Sequence, residues 1–174
     1  DGWKVSLVTL MNERLAVGGA TGAGWSEFME AARSIPGLDG RPALKDQALR
    51  EKLADWYVQS EGLKHTRNRT MTALSRGQTP GPESSIGKVV AATLMQDLGN
   101  EALEMLDQFG IISDPALAPL KGAFHASVMS APGLRIAGGT DEILRNIIAE
   151  RVLGLPGDIR VDKDIPFKDA PTGR

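Results

Sequence analysis

Between Leu44 and Arg76 the chain contains no proline, and Leu49, Leu53, Trp56, Leu63, Met71 and Leu74 recur at near-helical spacing until Gly77 supplies a stop. At 1.5 Å per residue such a helix runs for roughly 50 Å. So long a helix needs long partners to cover its apolar stripe, and one follows directly. After the turn-rich Gly77-Gln78-Thr79-Pro80-Gly81-Pro82, the residues Ile86, Val90, Leu94, Leu98, Met105, Leu106 and Phe109 trace a second long helix up to Gly110.

The flanks extend the pattern. Val5, Leu7, Leu10, Met11 and Leu15 mark a helix from about residue 4, which meets Gly18, Gly19, Gly22 and Gly24 and resumes with Trp25, Phe28 and Met29 until Arg33. Ile35 to Pro42 holds two prolines and two glycines and reads as a turn-rich connection. Pro115, Pro119 and Pro132 break up residues 111–137, where short helical pieces and loops are expected, with a turn or two around Ala123 to Met129. Thr140 then caps a last helix, with Asp141 and Glu142 in its first turn, where the helix dipole favours negative charge. Ile143, Leu144, Ile147, Ile148 and Val152 mark its face, and Gly154 and Pro156 close it. No strand alternation persists. The expected fold is all-α, an up-and-down four-helix bundle over residues 1–156, with 157–174 as an irregular, solvated tail.

Composition narrows the function classes. A chain of 174 residues fits one domain and can bury a core without staples, and the lack of cysteine excludes disulfide frameworks and thiolate metal sites. Two histidines, His65 and His125, are too few for a multi-histidine metal centre. A formal charge of -2 and a pI near 5.7 argue against nucleic acid as the main partner. No apolar run approaches a membrane span, and Asp1-Gly2-Trp3-Lys4 has no signal-peptide pattern, so a cytoplasmic location is expected.

Several constellations have a bland reading that wins. The cluster Gly18-Gly19-Ala20-Thr21-Gly22-Ala23-Gly24 lacks the ordered G-x-G-x-x-G of a dinucleotide loop and follows a helix rather than a strand, so helix crowding or a break accounts for it better. His65 among Lys64, Arg67 and Arg69 reads as a solvated basic face. Neither histidine sits in a segment suggestive of a serine hydrolase. Two segments keep a chemical reading open. Glu13 lies close in helical projection to Leu10 and Val17; a carboxylate at the edge of an apolar face can serve as a base, although an exposed, paired glutamate fits the same pattern. Gly138-Gly139-Thr140, leading into a capped helix, forms backbone able to approach a flat or anionic ligand, and it is also common as a plain helix entry.

The run Gly138-Gly139-Thr140-Asp141-Glu142-Ile143-Leu144-Arg145-Asn146-Ile147-Ile148-Ala149-Glu150-Arg151-Val152-Leu153-Gly154-Leu155-Pro156 closely resembles the C-terminal signature of acyl-CoA dehydrogenases. Gly2-Trp3-Lys4-Val5 with Asn12-Glu13-Arg14 is similar to the opening of that family's C-terminal helical domain. Gly81-Pro82-Glu83-Ser84-Ser85 to Lys88 resembles a stretch of actinobacterial-type members. The resemblance covers nearly the whole chain in order and implies a four-helix bundle preceded, in the parent protein, by an N-terminal helical domain and a middle β-domain.

It also implies chemistry. In the family a glutamate removes the α-proton of an acyl-CoA thioester while the β-hydrogen leaves as hydride to FAD, and the electrons pass to an electron-transferring flavoprotein; members form dimers and tetramers. Many members carry the base immediately before the Gly-Thr of the C-terminal signature, a position held here by Gly138, which cannot accept a proton. A second group, including the long-chain and isovaleryl enzymes, takes it from the first helix of this domain, at the position matched by Glu13. The resemblance thus assigns the base to Glu13, and flavin contacts to Gly138, Gly139, Thr140 and Glu142, with Gln47 at the glutamine that follows the family's Arg-x-x-Phe-Gly element, which itself precedes the second helix.

Two elements depart from the pattern. The family's Arg-x-x-Phe-Gly before the second helix reads Pro36-Gly37-Leu38-Asp39-Gly40 here, and its Gln-x-x-Gly-Gly at the end of the third reads Asp107-Gln108-Phe109-Gly110-Ile111. These departures resemble heteromeric members in which one subunit type has lost its flavin site, so a non-catalytic or flavin-deficient subunit is the alternative.

Overall fold

A computed structural model of the chain describes residues 2–17, 23–37, 39–79, 81–157, 159 and 165–170. The described residues form six α-helices and no strand: α1 Gly2–Val17, α2 Trp25–Ser34, α3 Gln47–Ser75, α4 Ser84–Leu106, α5 Ala123–Ile136 and α6 Asp141–Arg151. The all-helical class is as expected; six helices stand where four principal ones were read. The glycine cluster at 18–22 lies outside the described residues, as does most of 158–164 and the end of the tail.

The centre is α4, which packs against α1, α2, α3, α5 and α6. Its buried line is Ser85, Lys88, Val89, Ala92, Leu94, Leu98, Gly99, Ala102 and Leu106, whereas Ile86 and Val90 of the anticipated stripe are only half-buried. The inward face is therefore rotated, and it contains a lysine. Gly99 allows the closest approach: a Cβ there would lie 2.8 Å from Val128 Cγ2 and 3.5 Å from the Phe124 carbonyl, so α5 seats directly on the α4 backbone.

The helix missed in the sequence is α5. Pro132 lies inside it, and the reading of 111–137 as fragments followed from treating its prolines as breaks. A proline costs one backbone hydrogen bond and some crowding, yet α5 also buries Phe124, Ser127 and Ala131 on one face, and tertiary packing outweighs the local penalty. Phe124 meets Phe28 of α2 edge-on at 5.8 Å, and Phe28 meets Trp56 of α3 at 5.5 Å. With Ala31, Ala32, Leu49, Leu53, Leu98 and Ala102 these rings make the core shared by α2, α3, α4 and α5.

Two boundaries moved for identifiable reasons. The long helix starts at Gln47 and not Leu44, because Ala43–Lys45 forms a 3-10 turn and Asp46 caps α3, its carboxylate accepting the Leu49 amide at 3.0 Å. The next helix stops at Leu106, where Asp107 takes φ 49°, and a 3-10 turn follows to Ile111. The stops read at Gly77 and Gly154 both have left-handed φ.

Candidate active site

The loop between α5 and α6, residues 137–140, has two residues without side chains at its centre. Gly138 and Gly139 take φ 67° and 109°, conformations that favour glycine, and Gly138 is buried. Thr140 ends the turn as the N-cap of α6, its hydroxyl accepting the Ile143 amide at 3.4 Å. Glu142 is exposed in the first turn of α6; hydrogen bonds from its own backbone amide and the Thr140 hydroxyl hold its carboxyl below the ordinary 4.5. Ile136 and Ile143, on either side of the loop, are 67% and 53% exposed, so an apolar side chain stands open on each flank.

The inner side of the loop is charged. Lys88 of α4 is fully buried and donates to the Gly139 carbonyl at 2.7 Å, with its ammonium 3.6 Å from Asp141 Oδ1. Asp141 Oδ2 accepts from Arg135 Nε at 2.7 Å, and Arg135 Nη1 donates to Gln96 Oε1 at 3.0 Å. The Asp141 carboxylate raises the guanidinium of Arg135 above its ordinary value. Sequence reasoning placed Asp141 as a dipole partner and Lys88 only within a resemblance; it did not bring the two together. A lysine three residues after Ser85 and four before Ala92, within the inward repeat of α4, was the signal available.

Glu13 stands on α1, a different element that also packs on α4. Gly2 to Thr9 are all exposed; Leu10 and Glu13, three residues apart on one helix face, are half-buried, while Asn12 is exposed and donates to the Val8 carbonyl at 2.9 Å. Glu13 thus belongs, with Leu10, to the less exposed side of the described part of α1. The side chain of Val17, with which Glu13 was read to share an apolar edge, lies outside the described residues. Gln47 opens α3, exposed, its amide donating to Glu51 Oε1 at 3.0 Å. Lysine 88 and the loop belong to one cluster, whereas Glu13 and Gln47 each sit on their own helix.

The altered stretch before α3 forms a closed turn. Pro36 and Pro42 face each other in an isolated bridge, the Gly37 amide donates to the Arg41 carbonyl at 2.7 Å, and Arg41 pairs with Asp39 at 2.6 Å. The pair lowers the Asp39 carboxyl from its ordinary 3.8.

The model of the acyl-CoA dehydrogenase C-terminal domain matches residues 1–153. The chain belongs to the acyl-CoA dehydrogenase family. Among curated relatives, acyl-CoA dehydrogenase FadE34 of Mycobacterium tuberculosis is 30% identical over 156 residues, covering 90% of this chain and 20% of that protein. Acyl-CoA dehydrogenase IpdE1 of the same organism is 29% identical over 165 residues, covering 92% of this chain and 40% of its own length. The chain therefore spans a fifth to two-fifths of these acyl-CoA dehydrogenases. Among solved structures, the fold resembles butyryl-CoA dehydrogenase from Megasphaera elsdenii, with TM-score 0.67 and 21% identity over 87% of this chain and 39% of that one. It also resembles a chain of the ChsE4-ChsE5 complex from Mycobacterium tuberculosis, with TM-score 0.64 and 24% identity over 77% of this chain and 35% of that one.

Proposed function

We propose that the chain is the C-terminal helical domain of an FAD-dependent acyl-CoA dehydrogenase in which Glu13 is the general base. The observation that carries this reading is the burial pattern of α1: in a helix exposed from Gly2 to Thr9, Glu13 is half-buried, as is Leu10 three residues before it. The other family position for the base is Gly138, buried, left-handed and without a carboxylate.

The residues of the loop fit a flavin edge. Gly138 and Gly139 present bare backbone, Ile136 and Ile143 offer exposed apolar flanks, and the N-terminal amides of α6 give positive dipole next to Thr140 and Glu142. Gln47, exposed at the start of α3, has an amide suited to the adenine side. Bound FAD supplies the acceptor for the hydride that leaves the β-carbon. Glu13 takes the α-proton, and the loop orients the ring and excludes water. The names of FadE34 and IpdE1 support acyl-CoA as substrate; an electron-transferring flavoprotein as acceptor of the electrons and a dimer or tetramer as the working assembly follow from the resemblance to the family.

One observation favours a second reading, a flavin-deficient subunit of a heteromeric dehydrogenase. Where the family places an arginine, the turn before α3 has Pro36, and its own Arg41 is engaged by Asp39. The colour of the purified complete polypeptide separates the two: yellow for a holoenzyme, colourless until a partner is added for the alternative. For the base, Glu13→Gln is expected to slow single-turnover flavin bleaching by acyl-CoA about 10² to 10⁴-fold with flavin content intact, because the amide keeps the shape and cannot take a proton. Bleaching at the parent rate removes Glu13 from the mechanism.

A further inference from the structure

A lysine is almost never fully buried unless its charge is met. Lys88 is fully buried, and its charge is met in a particular way. The short, directed bond runs to a backbone carbonyl, that of Gly139 at 2.7 Å, whereas the carboxylate of Asp141 faces the ammonium at 3.6 Å and its Oδ1 accepts no hydrogen bond. Asp141 thus neutralises charge, and the carbonyl receives the geometry. Arg135 does not duplicate this role, since it binds the other oxygen of Asp141 and Gln96 from a half-exposed position.

The site of attachment matters because Gly139 has no side chain by which packing could hold it. With φ 109° it lies in a region that glycine adopts without steric cost, so the Gly139 peptide has little in its own residue to fix its orientation. Rotation of the Gly139–Thr140 peptide would withdraw the carbonyl from a buried ammonium, a large penalty for a charge-assisted bond. A methionine would fill similar volume on α4 without the desolvation cost of a charge, and would remove the hydrogen bond to that peptide.

We propose that Lys88 is a positioning residue: across 51 residues of sequence it locks the Gly139 peptide and so fixes the surface that residues 138–142 present to the flavin. The part concerning flavin rests on the function proposed above; the locking of the loop does not.

The test uses the complete polypeptide carrying this chain, with FAD as the probe, in the parent form, as Lys88→Met and as Lys88→Met/Asp141→Asn. The double variant leaves no unmatched carboxylate, so it remains interpretable if the single one folds poorly. Hydrogen exchange of residues 137–146 is expected to quicken at least roughly tenfold in both, while peptides covering 94–102 of α4 exchange as in the parent. The FAD dissociation constant is expected to rise at least roughly tenfold, and the midpoint potential of the bound flavin to move, neither of which a remote packing defect would produce with 94–102 unchanged. Parent-like exchange of the loop in the double variant overturns the proposal. A loosened loop with parent-like FAD affinity and potential upholds the locking by Lys88 and overturns the assignment of this loop to the flavin. A parent protein that binds no FAD leaves the exchange comparison to decide the matter of Lys88 by itself.

Discussion

At Gly139 the backbone carries a requirement that no other residue meets well. Alanine at φ 109° is expected to cost about 1–3 kcal/mol, read as a lower denaturation midpoint for Gly139→Ala. Gly62 is the control: it is helical, in α3, and a Cβ there meets nothing within 4 Å, so Gly62→Ala is expected to stabilise by about 0.5–1 kcal/mol. If both substitutions shift the midpoint the same way, the left-handed geometry of the loop is not what selects glycine there. The legible part of the candidate site was the part written locally: Thr140 as a cap, two glycines before it, acids in the first turn. The illegible part was the link to Lys88, because a lysine inside a helical repeat reads as surface until the helix across from it is known, and its partner is 51 residues away.

Among the helices, those read correctly have continuous sequence signals: a proline-free stripe for α3 and a dense apolar repeat for α4. The fragmentary reading of α5 failed because Pro132 is a local signal, whereas the burial of Phe124, Ser127 and Ala131 depends on Gly99 of α4, which sequence alone does not pair with them. The start of α2 offers a measurable contribution from a single element. Glu27 Oε2 accepts from the Gly24 amide at 3.0 Å and the Ser26 hydroxyl at 2.9 Å, and bonding from its own backbone amide, from Ser26 and from Gly24 holds its carboxyl below the ordinary 4.5. A depressed folded pKa means that this stabilisation is fully present above about pH 4.5 and is lost as pH falls through the lower, folded value. Glu27→Gln is therefore expected to melt below the parent at pH 7, with the difference shrinking at pH 3. A difference that stays constant between the two pH values shows that the carboxylate charge contributes nothing to the start of α2.

As a whole molecule the chain leaves apolar helix surface without cover. Trp3, Val5 and Val8 of α1 are 72%, 67% and 60% exposed, and Gly2 to Thr9 are exposed on every face, a span of about two turns. A solitary helix of this length is marginal in water, so the beginning of α1 needs a surface to lie on. Parts of α3 are in the same position, with Val58 69% and Met71 54% exposed, and beyond α6 Leu153 and Leu155 are 66% and 53% exposed. The chain spans a fifth to two-fifths of FadE34 and IpdE1, so other parts of a longer polypeptide, or another subunit, are the natural covers. Produced alone, the 174-residue chain has only a second copy of itself to cover these faces. Patches of this kind seldom stay exposed in a monomer. Sedimentation at tens of micromolar is therefore expected to give species heavier than 18.5 kDa, and added salt is expected to leave or strengthen the association, since the buried groups are apolar and not charged. Dissociation by moderate salt would assign the contact to the ionic surface instead, and a strict monomer at high micromolar concentration would show that the exposed faces of α1 and α3 do not bind a second copy.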